Sequence, residues 1–521
     1  MKNTLKTLTL ALTLVFTRTV LAEADNAFEK LQSAHAVDFE NGIPADIRPA
    51  AREKKSRILS VHAEKIDLYK NPSTAFQINP VSGLKKHAQT AAAILDVSAE
   101  RNNADVNFNT VLLDHALFDF NEDSLSIIRK ADILTISSYQ SLFYPRPPFD
   151  IRAADEIWDR SKAIVITGLP NNDAPGMLSP EGFNPIDRGD TVIRTLSYKN
   201  AKLELSPDVI YQSAFEEGFC YPFVPTLDEI NQLFVGKDVP ELAKDNKAVI
   251  YQYASYYKSN GGKPMCDLEG NSFASPNLGG LAAAYSESYP DLNEHEITVA
   301  LLTSARIVGK PELYAANARG LYFGEKYYGF GLVLKEEFRK RLDTLREIHR
   351  QNPDSATQPL RSTETMRVAA DGKSLTAAFN SKTLALRTMG VITVKNDPKL
   401  YRPSALRNDP EYAMSVLPSE AKITSPSGTT YRIKLHAEAW SLQHPENGLK
   451  LGFATAGFLG ENTEGEWTVE IPLPAKSQMK IISGEFTIAG LNSGGTVDQM
   501  INTITKKAAV KPAASQQRLH I

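Results

Sequence analysis

Between Arg57 and about Val333, short apolar runs alternate with stretches of helical spacing, and this alternation restricts the possible folds more than any other feature of the chain. Ile58-Leu59-Ser60-Val61, Asn109-Thr110-Val111-Leu112-Leu113, Ile133-Leu134-Thr135-Ile136 and Ala163-Ile164-Val165-Ile166 read as strands, and 91–95 and 124–129 between them read as helices. The pattern predicts an α/β unit: a parallel sheet with helices on both faces. Leu334, Phe338, Leu342, Leu345 and Ile348 then recur at helical spacing, with charged residues on the other side, so a helix is expected to close this unit near residue 350. From about Met366 the pattern changes. Runs such as Tyr431-Arg432-Ile433-Lys434-Leu435 and Trp467-Thr468-Val469-Glu470-Ile471 alternate with turn residues and show no helical period, which predicts an all-β antiparallel sandwich over 366–495. Residues 351–365, with Pro353 and Pro359, read as a linker, and the polar, Lys-rich segment 496–521 as a mobile tail.

The chain has 521 residues, enough for about three domains. Lys2 and Lys6 precede the apolar run Leu8 to Phe16, and Val20-Leu21-Ala22 follows with small residues suited to cleavage. Thr17, Arg18 and Thr19 interrupt the run well short of the ~20 apolar residues a span needs, so 1–22 is expected to be a removable signal peptide. The mature protein is then exported, periplasmic or secreted, with no membrane insertion and, lacking a Cys at the cleavage site, no lipid anchor. The whole chain has a formal charge of -3, and no basic field marks a nucleic-acid binder. In an oxidising compartment the two cysteines, Cys220 and Cys266, are expected to form one disulfide, stabilising by roughly 4 kcal/mol.

The most informative segment for chemistry is Gly270-Asn271-Ser272-Phe273-Ala274-Ser275-Pro276, leading into Asn277-Leu278-Gly279-Gly280-Leu281. A Ser where a loop becomes a helix has its hydroxyl beside free backbone N–H groups and the positive end of the helix dipole, which are the features an oxyanion needs. Taken alone, the same pattern also describes an N-cap serine. The segment resembles the nucleophile motif of the subtilisin-like serine peptidases, Gly-Thr-Ser-x-Ala-x-Pro, with Asn271 in place of Thr. Tyr289 to Ala305 is similar to that family's next helix, and Asn293 and Glu296 independently have capping-box spacing. Gly329-Phe330-Gly331 resembles the turn that ends the family's domain.

The resemblance extends to other site positions. His87-Ala88-Gln89-Thr90-Ala91 is similar to the segment carrying the family's general base, which implies His87 in that role. Asp132 to Tyr139 resembles the strand that pairs with substrate backbone, implying Ser137, Ser138 and Tyr139 as substrate-binding residues, with Tyr139 where a Gly is usual. Ile164 to Gly168 leads to Asn171-Asn172, similar to the strand and Asn that donate to the oxyanion; Asn172 is chosen narrowly over Asn171. At the end of the first strand the family has its triad Asp, whereas this chain has His62, followed by Ala63 and Glu64; Glu64 and Asp67 are the nearest carboxylates. The resemblance implies no cofactor for catalysis, with structural calcium as a family feature. Ile423 to Thr429, Gly460-Glu461-Asn462, Gly465 and Trp467-Thr468-Val469 resemble the P domain (homo B domain) that follows the peptidase domain in proprotein convertases, implying a jelly-roll-like sandwich. Two functions follow as expectations: an exported serine endopeptidase acting on polypeptides, or a catalytically silent relative that binds a polypeptide or serves as a scaffold. Residues 23–56 are short for a folded pro-domain.

Overall fold

The computed structural model of the chain describes residues 57–61, 109–113, 132–136, 163–171, 176–179, 182, 185–197, 200–211, 270–395, 403–473 and 479–510, together with Leu95, Ser98, Ala99 and Asn102. The apolar runs are strands: β1 (Arg57–Val61), β2 (Asn109–Leu113), β3 (Ile133–Ile136), β4 (Ile164–Gly168), β5 (Val192–Ser197) and β6 (Val209–Tyr211). With β7 (Ala305–Arg306) and β10 (Leu332–Val333) they make one sheet in the order β2-β1-β3-β4-β5-β6-β10-β7, while β8 (Ala315–Ala316) and β9 (Tyr322–Phe323) form a separate pair. All pairings from β2 to β10 are parallel, and only β7 runs antiparallel at the edge. Strands β3, β4 and β5 are buried along their whole length, as expected of strands covered on both faces.

Helix α1 (Asn271–Ser288) lies against β3, β4, β5 and β6. It is buried almost all round, so it has little apolar-to-polar asymmetry and carries small residues where neighbours come close. A Cβ on Gly279 would stand 2.2 Å from Thr135 Cγ2, and one on Gly280 would stand 2.5 Å from Leu95 O, within the helical segment that also holds Ser98 and Ala99. Helix α2 (Glu294–Thr303) starts with the expected capping box, Asn293 accepting from the Glu296 N–H and Glu296 from the Asn293 N–H. Helix α3 (Lys335–Gln351) buries Phe338, Leu342 and Leu345, as its period predicts. Among the described residues no helix is long and apolar enough to cross a membrane.

The second half contains two five-stranded antiparallel sheets. One has the order β11 (Pro359–Thr365), β20 (Lys480–Asn492), β14 (Thr383–Lys395), β18 (Leu449–Thr455), β17 (His436–Ala437), and the other β12 (Arg367–Val368), β13 (Ser374–Phe379), β19 (Gly465–Glu470), β15 (Glu420–Thr424), β16 (Thr430–Lys434). They pack face to face through Trp467, whose ring centroid lies 5.5 Å from that of Phe486 and 5.1 Å from that of Phe458. Its indole N–H donates to Thr463 O at 3.0 Å, so the largest buried side chain leaves no polar atom unpaired.

Two local expectations change. Part of the expected linker is strand β11, paired with β20 at the sheet edge, where a Pro is tolerated because one row of N–H groups is not needed by the ladder. The segment read as a mobile tail begins with helix α7 (Thr496–Val510), which follows the short helices α4 (Pro403–Asn408), α5 (Pro410–Val416) and α6 (Ala439–Gln443) that interrupt the β-rich region. Val497, Met500 and Ile501 have helical spacing and are buried, and α7 packs on α3, so a small apolar stripe outweighs a polar composition.

The seam between the two halves is charged and buried. Asp208, fully buried before β6, accepts from the Arg194 N–H at 3.0 Å, the Ala456 N–H at 2.9 Å and Arg387 Nη1 at 2.8 Å. Arg387 also donates to Val192 O. Arg194 reaches Ala454 O at 3.3 Å and His436 Nε2 at 2.8 Å; as a guanidinium only donates, Nε2 is the unprotonated ring nitrogen. Nearby, Glu461 accepts from the Ala318 N–H at 2.9 Å and from Ser425 Oγ and Thr429 Oγ1 at 2.5 Å each, tying the β8–β9 segment to the sandwich.

Candidate functional site

The register aligns Val61 with Ile136 and Ile136 with Thr167, so β1, β3 and β4 end at one edge of the sheet. Helix α1 begins at that edge. A Cβ on Gly168 would lie 2.7 Å from Asn271 O and 3.4 Å from Ser272 N, so the last residue of β4 must be glycine for the helix start to come this close. Gly270 precedes the helix at φ 145°, a conformation essentially limited to glycine. Ser272 is the second residue of α1 and is half-buried, in the first turn, where N–H groups have no acceptor four residues back within the helix.

Three asparagines fasten this turn. The Asn271 N–H donates to Asn171 Oδ1 at 2.8 Å. Asn271 turns its side chain inward: its Oδ1 accepts from the Ser197 N–H at 2.7 Å, and its Nδ2 donates to Pro170 O at 2.7 Å. Asn200, beyond the end of β5, directs Nδ2 at Asn171 Oδ1 (3.1 Å) and Asn271 Oδ1 (3.3 Å). Asn271 is fully buried, Asn200 half-buried and Asn171 exposed. Further along α1, Ser275 Oγ donates to Ile136 O at 3.3 Å and Ser98 Oγ to Asn277 O at 2.7 Å, which fixes the helix against β3 and its neighbour.

Of the residues singled out from the sequence, Ser272 is described in this position. His87, His62, Asn172, Ser137, Ser138, Tyr139, Cys220 and Cys266 lie outside the described residues. Asn171, the near alternative to Asn172, is described with its carboxamide oxygen on the first N–H of α1. Asn200 was not anticipated; it follows Tyr198-Lys199 in a polar turn that carries no local signal. Among the described residues no group of three or more His, Cys, Asp or Glu is arranged to hold a metal ion.

No protein-family model matches the sequence, and no curated protein matches it. Solved structures do. The serine protease of Aeromonas sobria in complex with its chaperone aligns with a TM-score of 0.54 at 13% identity, over 84% of this chain and 88% of that one. The same protease alone aligns with a TM-score of 0.51 at 13% identity, over the same shares. The chain has a subtilisin-like fold. An alignment over 84% of the chain is longer than the parallel-sheet half, so the likeness extends into the antiparallel sheets. In this subtilisin-like fold, the start of α1 and the ends of β1, β3 and β4 share one edge of the sheet.

Proposed function

We propose that the chain is an exported serine endopeptidase whose sandwich is a P domain. Ser272 Oγ attacks the carbonyl carbon of a peptide bond while His87 accepts its proton; the resulting oxyanion collapses, the amine leaves with the proton from His87, and water releases the acyl group by the same steps. The oxyanion is held by the Ser272 N–H and by an asparagine carboxamide. The observation that supports this reading most is the start of α1, where a half-buried Ser272 follows an Asn271 N–H that is tied to the Asn171 side chain. That hydrogen bond favours Asn171 over Asn172 as the donor. Ser137, Ser138 and Tyr139, which follow β3 directly in the sequence, would pair with the substrate backbone, and His62, directly after β1 in the sequence, would take the acid position.

A fluorophosphonate probe tests the reading. Labelling is expected on Ser272, and Ser272→Ala is expected to abolish both labelling and cleavage of an unfolded protein, with the unfolding temperature nearly unchanged. Labelling of a different serine, or cleavage that survives in Ser272→Ala, would refute the assignment. Absence of labelling in the folded natural protein would leave a silent, polypeptide-binding relative.

A further inference from the structure

The polarity of the asparagine array follows from the backbone. The Asn271 N–H can only donate, so the Asn171 atom 2.8 Å from it is Oδ1, and Nδ2 is at the other tip of that carboxamide. The Ser197 N–H likewise requires Oδ1 of Asn271, and Pro170 O requires its Nδ2. Two carboxamide oxygens, those of Asn171 and Asn271, thus face Asn200, which must present its Nδ2 to both. Turning Asn171 by 180° would set its NH2 group against two donors, the Asn271 N–H and Asn200 Nδ2. Asn171 is exposed and, without these bonds, would rotate in solvent.

We infer that Asn200 is a positioning residue: it locks Asn171 in the one orientation in which Nδ2 is available to an oxyanion. This rests on the peptidase reading above. Asn200 touches neither the substrate nor Ser272 in this role; it acts on the rate through Asn171. Because the Asn171 donor matters most when negative charge has developed, loss of Asn200 should lower kcat and leave KM unchanged.

The test is a double-mutant cycle on the full chain, read as the second-order rate of fluorophosphonate labelling at Ser272, with thermal unfolding followed for each variant. Asn171→Ala is expected to slow labelling by about 10²- to 10³-fold, the loss seen when such a donor is removed from a subtilisin. Asn200→Ala is expected to slow it about five- to tenfold, the effect of roughly one hydrogen bond. Asn200→Asp keeps the shape but sets a carboxylate against two oxygens, and should slow labelling at least as much. In the Asn171→Ala background, Asn200→Ala should change the rate less than about twofold, as there is then no carboxamide to orient. Equal losses from Asn200→Ala in both backgrounds, or wild-type rates in Asn200→Ala and Asn200→Asp, would overturn the inference and leave the peptidase reading standing. If the wild-type chain itself is not labelled, the peptidase reading fails and the positioning role fails with it.

Discussion

Asp208→Ala probes what joins the two halves. The buried carboxylate holds three donors: the Arg387 guanidinium from the sandwich at 2.8 Å, and the N–H groups of Arg194 and Ala456 at 3.0 and 2.9 Å. Removing one partner of a buried ion pair costs about 3–5 kcal/mol, because the other charge stays behind without compensation. Each stranded backbone N–H adds about 1 kcal/mol or more unless water reaches it. These contributions overlap, and about 5 kcal/mol in total is expected. At about 2 °C per kcal/mol for a chain of this size, the unfolding temperature should fall by roughly 10 °C, measurable by scanning calorimetry. A partner variant isolates the cause. Replacing a buried pair by apolar side chains is often close to neutral, so Asp208→Ala with Arg387→Met should recover most of the loss. A fall below about 2 °C in Asp208→Ala, or no recovery in the double variant, would refute the view that this pair holds the seam together.

Asp187, also buried in the seam, has its carboxyl pushed above the usual range: burial raises it and Asp208 adds to this, against the opposing pull of Arg194 and Arg387. A carboxyl raised on folding is penalised when charged, fully so above its folded pKa and not at all below the ordinary carboxylate range. Asp187→Asn is therefore expected to be more stable than wild type near pH 7, with the advantage shrinking as pH falls; a destabilised variant at pH 7 would mean that the Arg194 contact at 3.8 Å dominates. For the acid position, His62→Asp should raise turnover, toward the 10⁴-fold by which the loss of a triad Asp slows a serine protease, and activity supported by neutral His62 should fall as pH drops through about 6.5. Unchanged turnover in His62→Asp, with loss in Glu64→Gln or Asp67→Asn, would move the acid to one of those carboxylates.

The sequence by itself determined the elements whose causes are local. Strands β1 to β4, helix α3 and the capping box of α2 follow from residue period and cap chemistry, which act over a few positions and read the same wherever the segment ends up. Ser272 at a helix start was legible for the same reason, from a turn glycine and small residues in order, although Pro276, the sixth residue of α1, lies inside the helix rather than in its first turn. Strand β11 and helix α7 were not, because composition marks them as polar and only a neighbouring strand, or a partner for Val497, Met500 and Ile501, reveals the face they bury. The asparagine array joins positions 29 and 71 residues apart in the chain, and Asp208 meets Arg387 across 179 residues. Such side chains look like ordinary surface polar residues in the sequence, since their burial depends on the path of the chain rather than on their neighbours. Only tertiary structure brings them together, and where burial is complete, as at Asp208 and Asn271, desolvation makes such hydrogen bonds costly to leave unmade.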